Sequence, residues 1–145
     1  YGALVLGESP DRIGLHGPSF ELSILSWRAP NRPGGPSHFR GYVSTSLLQA
    51  NRGESVPWLT WSSGFESSFE ATQSRRWLIP VFSFEAGQIV TPKRTVGHVT
   101  PGLGLHLWSA QDWTASLKTS YVLPPVAMES LRGLRVDLGV EFTYW

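Results

Sequence analysis

Carboxylates, cations and imidazoles occupy alternate positions of several short stretches: Glu21, Arg40, Glu66 and Glu70, Glu85, His98 and His106, Lys118, and Arg135, Asp137 and Glu141. The positions between them are mostly Leu, Val, Phe, Ala or Trp. In an extended segment, residues two apart share a face, so each stretch gathers its charge on one side. The chemistry open to such a set is ion pairing: with both signs present, each charge in a confined space can meet an opposite one, and an unpaired charge there is costly. A proton or solute path along the same face is the other use. Glu66 and Glu70 lie about 13 Å apart along a strand, and His98 and His106 about 26 Å, too far for the two imidazoles to share an ion. No metal-ligand spacing, Gly-rich phosphate loop or bound cofactor is expected, and no catalytic residue is assigned.

Composition narrows the field. The 145 residues allow one domain, 1–145, long enough for a sizeable core or a closed barrel of about eight strands. Charged residues are 16% and the formal net charge is +1, which gives no electrostatic case for nucleic acid. Without cysteine there are no disulfides, thiolate metal sites or thiol nucleophiles. No apolar run reaches the length of a membrane-spanning helix.

The elements that carry these residues read as strands. Helical periodicity is poor, whereas short alternating runs recur between clusters of Gly, Pro, Asn, Ser and Asp. Eight strands are predicted, over 1–7, 19–28, 38–48, 57–72, 76–87, 96–109, 113–123 and a final one ending at 135–145. The span 8–18 reads as a connection, and the first strand opens so abruptly that further residues are expected upstream. Turns after the fourth and sixth strands read as tight, with longer connections after the first, third, fifth and seventh. In the last strand Val136, Leu138, Val140, Phe142 and Tyr144 oppose Arg135, Asp137, Gly139, Glu141 and Thr143. An apolar edge there must be covered, and its expected neighbours are the seventh strand and the first.

Alternation alone does not say which face is inside. Three features turn the polar face inward: Gly64, Gly102, Gly104 and Gly139 lie on it, where a narrow barrel needs room. Trp27, Trp58, Trp77, Trp108, Trp113 and Tyr121 stand near strand ends, as interfacial aromatics do. Strand lengths fit a tilted crossing of a hydrocarbon layer. The predicted fold is therefore all-β, an eight-stranded antiparallel up-and-down transmembrane β-barrel with a polar packed lumen.

The ending Asp137-x-Gly139-x-x-Phe142-x-Tyr144, with Trp145 one residue beyond, resembles the C-terminal assembly signal of bacterial outer-membrane β-barrels, and length and strand count resemble the OmpA-barrel and OmpX class. The resemblance implies a bacterial outer-membrane location, contact with lipid and lipopolysaccharide, and handling by the barrel assembly machinery during insertion. The polar packed lumen points to a structural, anchoring or interaction role and not a pore, and connections of about seven to eleven residues, short for a receptor surface, point to another envelope protein as lateral partner. Members of this class that act on lipid A set the alternative: a deacylase pattern needs His and Ser two apart on a strand. His106 and Ser109 are three apart, and His98 is followed at that spacing by Thr100. A soluble lipocalin-like ligand-binding barrel is the remaining alternative.

Overall fold

The computed structural model describes residues 1–7, 12–27, 38–51, 56–69, 77–110, 113–125 and 131–142. They form nine strands: β1 (Gly2–Leu6), β2 (Ile13–Gly17), β3 (Ser19–Trp27), β4 (His38–Ala50), β5 (Trp58–Ser68), β6 (Trp77–Val90), β7 (Thr95–Ser109), β8 (Trp113–Val122) and β9 (Gly133–Phe142). All neighbours are antiparallel and make one sheet in the order β2-β1-β9-β8-β7-β6-β5-β4-β3. A further pairing of β2 with β4, at Leu15 with Ala50 and His16 with Gln49, bends the hydrogen bonding into a ring.

The strand count exceeds the expected eight by one because β2 falls in the span read as a connection. Its five residues include Gly14 and Gly17, and Pro18 follows, so its alternation is too short to register alone. It pairs with β4 in the register that β3 continues from Ser19 opposite Ser46, so β2 and β3 are one long strand interrupted at Pro18. Counted that way, eight staves surround the interior. As expected, β9 lies between β8 and β1.

The expected tight connection is kept after β7, where three residues lead to β8 and the Ala110 amide donates to the Trp113 carbonyl, but the connection after β6, expected to be longer, is tight as well. In the span 91–94 the Thr91 hydroxyl accepts from the Lys93 and Arg94 amides and donates to the Arg94 carbonyl, a side-chain-capped turn. The tight turn expected at 73–75, between β5 and β6, lies outside the described residues.

Two irregularities steer side chains. Between His106 and Trp108 the β7–β8 register slips by one, which turns Trp108 outward beside its β6 partner Trp77. Between Ser23 and Leu25 the β3–β4 register slips likewise, and keeps Ser26 on the inner face opposite Arg40. Pro101 sits in β7 without a slip: it opposes Phe84, and the β8 register is the same on both sides of it.

The interior has two halves. At the end where β1, β4, β6 and β8 finish, Leu4, Leu6, Leu15, Leu48, Trp58, Ile89, Val96, Val122 and Leu131 form an apolar plug. The rest is polar, so the expected polar filling describes only part of the interior. Trp58, expected among the strand-end aromatics, is a correction: it is 5% exposed and lies in the plug. Its parity explains this, since Trp58 shares a face with Thr60, Ser62 and Glu66, all buried.

The outer face is apolar. Leu22, Val43, Phe65, Phe82, Leu103, Leu117, Leu138 and Val140 are all exposed, and Leu103 reaches 69%. Phe65 stacks there on Phe39 and Phe84, with centroids 5.7 and 5.8 Å away. Among the described strands, every Asp, Glu, Lys and Arg is turned to the interior, where it meets an ion-pair or hydrogen-bond partner.

Candidate functional site

The inner faces of β3 to β9 bring the ionisable side chains together as one network. Its centre is Glu66 on β5, 2% exposed, with Arg40 opposite it on β4 and only 3% exposed. One Glu66 oxygen accepts from Arg40 Nη2 at 3.1 Å and contacts the Lys118 ammonium; the other stands 3.1 Å from His106 Nε2. Arg40 also reaches Glu21 on β3 and Glu141 on β9, so one guanidinium serves carboxylates from three strands. Its planar fork of donors suits that use, which a lysine could not match.

A second group lies next to the first. Glu85 accepts from the Tyr42 hydroxyl and the Ser62 hydroxyl, both at 2.8 Å, and pairs with Arg135 at 3.6 Å. Arg135 Nε holds Asp137 at 2.8 Å, and its Nη2 donates to Ser19 and Ser46. Tyr42 joins the groups: its ring lies 5.2 Å from the Arg40 guanidinium and 5.4 Å from the Lys118 ammonium, while its hydroxyl serves Glu85. Such a set is stable only when nearly every member is satisfied, because the low dielectric strengthens pairs and penalises orphans alike. Arg40 Nε, His98 Nε2 and Asp137 Oδ1 are the buried polar atoms on these residues without a hydrogen-bond partner.

Glycines make the space. A Cβ on Gly64 would stand 2.6 Å from the Phe84 carbonyl oxygen, 2.9 Å from Glu85 and 3.1 Å from Tyr42. On Gly104 it would meet the Leu117 carbonyl at 2.7 Å and Lys118 Cγ at 3.0 Å. Bare backbone at these positions lets the tyrosine and the lysine lie flat across the interior.

Of the ionisable residues picked from sequence, Glu21, Arg40, Glu66, Glu85, His106, Lys118, Arg135, Asp137 and Glu141 are joined in these contacts. His98 faces inward but bonds Thr100 at 2.8 Å. Glu70, Tyr144 and Trp145 lie outside the described residues. Gly139 and Phe142 are on β9, facing inward and outward respectively, and Phe142 is exposed. Trp27, Trp77, Trp108 and Trp113 are exposed at one end of the ring, and Tyr121 is exposed towards the other.

One pair was not legible in sequence. Ser26 Oγ and His38 Nε2 are 2.8 Å apart on neighbouring strands. They are separated by a Pro- and Gly-rich span, and the slip after Ser23 is what puts Ser26 on the inner face. Comparison with protein-family models, curated proteins and solved structures returns no match.

Proposed function

We propose that this chain is an integral β-barrel of a bacterial outer membrane with a plugged lumen, serving a structural, anchoring or interaction role and not conducting solutes. The observation that carries the reading is the inversion of its faces: every charged residue of the described strands points inward, and the outer face is Leu, Val, Ile and Phe between aromatic ends. In water this arrangement strands apolar surface and costs desolvation of charge; in lipid the hydrocarbon covers the former and the lumen holds the latter. On β8 the outward run from Trp113 to Tyr121 spans about 26 Å along the strand, about 20 Å once a typical tilt is applied, comparable with a hydrocarbon band.

The plugged interior supports a non-conducting role, with apolar side chains at one end and a cross-linked ionic set at the other. The surroundings implied are outer-membrane lipid and lipopolysaccharide, the assembly machinery during insertion, and a lateral envelope partner on the outward, half-buried Phe39-Phe65-Phe84 stack. Reconstitution into planar bilayers is the test of role: the expected record has no stepwise conductance, and a steady ohmic current proportional to inserted protein contradicts a plug.

A second reading, a lipid-modifying enzyme, is favoured by one observation. The Ser26–His38 contact has the spacing of a nucleophile and its general base. Expression of the chain and of Ser26→Ala, followed by lipid A mass spectrometry, decides it: a mass change that Ser26→Ala abolishes establishes the enzyme.

A further inference from the structure

The ring is not closed along its whole height. β1 ends the closure: its five residues lie between β2 and residues 133–137 of β9. Beyond it, β3 and residues 139–142 of β9 face each other with no ladder partner on those edges among the described residues. Both sides of β3 are correspondingly exposed, from Phe20 to Trp27. Because β2 and β3 are one line, and β1 runs antiparallel to both β2 and β9, the gap is one strand wide and has a direction. Tyr1 stands at its foot, its backbone nitrogen donating to the Leu138 carbonyl at 2.8 Å and its carbonyl accepting from the Leu138 amide at 2.9 Å.

The registers say what would fit. Continued past Tyr1, the β1 registers set the first preceding residue between Ser19 and Gly139, the second between Phe20 and Val140, the third between Glu21 and Glu141, and the fourth between Leu22 and Phe142. The parity agrees on both walls: the first and third positions face polar inner residues, the second and fourth apolar outer ones. At the third position two carboxylates flank the gap. They are the most accessible acids of the network, 28% and 32% exposed, and Arg40 holds both from behind. Among the described residues the network has five carboxylates, Glu21, Glu66, Glu85, Asp137 and Glu141, against Arg40, Lys118 and Arg135, so it is short of positive charge.

The geometry points to a seat for one further β-strand, joined to β1 through the Tyr1 nitrogen. It is at least four residues long and antiparallel to β3 and β9, with apolar residues facing outward and a lysine or arginine between Glu21 and Glu141. The seat is defined by two unpaired backbone edges and holds in any solvent; in lipid it becomes obligatory, since hydrocarbon cannot satisfy them.

The test places Val-Lys-Leu-Ser directly before Tyr1 and measures amide exchange of the folded protein in micelles. Exchange in β3 and at 139–142 should slow by on the order of tenfold or more, the effect of pairing an open edge. The parity-shifted Lys-Val-Ser-Leu should give no such protection, and Val-Glu-Leu-Ser should lose it through repulsion with Glu21 and Glu141. Equal protection by the shifted sequence overturns the register, and equal protection by the Glu sequence overturns the charge assignment. Protection of the same edges without any extension, through a second copy, or by the free peptide in place of the joined one, overturns the seat. Because exchange is read in the folded state, a failure here leaves the membrane reading to its own test.

Discussion

Glu66 is the residue on which the interior depends, since it is buried against three cationic or imidazole groups at once. Removing its charge leaves Arg40 and Lys118 with a neutral neighbour in a dry space, so Glu66→Gln should cost about 3–5 kcal/mol, read as the urea midpoint in vesicles. The combined change Glu66→Leu with Lys118→Met should recover part of that loss, because an apolar pair in place of a buried ion pair is often tolerated. A loss below about 1 kcal/mol for Glu66→Gln contradicts the central role given to this carboxylate. The ionic residues themselves were legible, because a strand repeats every two positions and their neighbours are apolar. Their partners were not: Arg40 meets Glu66 through the β4–β5 register, and Arg40 meets Glu141 through ring closure, neither of which is local to a stretch of sequence. Ser26 and His38 were missed for a similar reason, as their contact depends on a register slip.

The strands were legible where alternation runs long, as in β4, β7 and β9, and obscure where it is short. β2 has five residues, and what makes it a strand is the β1 and β4 edges on either side, not its own propensity. Trp58 shows the converse: position near a strand end suggested an outer aromatic, while parity placed it inside. Two changes test the packing between elements. Gly64→Ala should cost about 1–3 kcal/mol, because its Cβ would press on the Phe84 carbonyl and the Tyr42 ring. Gly97→Ala, whose Cβ would come no nearer than 3.9 Å to the Gly87 oxygen, should stay within about 0.5 kcal/mol. The outer face has its own probe: Leu103→Arg, at 69% exposure, should cost about 2–4 kcal/mol in vesicles if β7 crosses hydrocarbon. A cost below about 0.5 kcal/mol, the usual range for a surface site in water, contradicts that placement.

At the scale of the whole molecule the reading turns on solvent. Alternation made the two faces visible without orienting them, because a soluble sheet and a membrane sheet share the same period; glycine placement, strand-end aromatics and strand length pointed the polar face inward. The ring orients them: it folds the charged faces of β3 to β9 into mutual contact and leaves the Leu103, Leu117 and Val140 side out. On the proposed membrane reading, an amphiphile covers that apolar exterior. The direct measurement is refolding of the urea-denatured chain by dilution into buffer alone, into detergent micelles and into phospholipid vesicles, followed by circular dichroism, protease resistance and unheated gel migration. The account predicts a β-rich, protease-resistant species of heat-modifiable mobility with micelles or vesicles, and aggregation in buffer. A folded, monodisperse and monomeric chain in buffer without any amphiphile would contradict it.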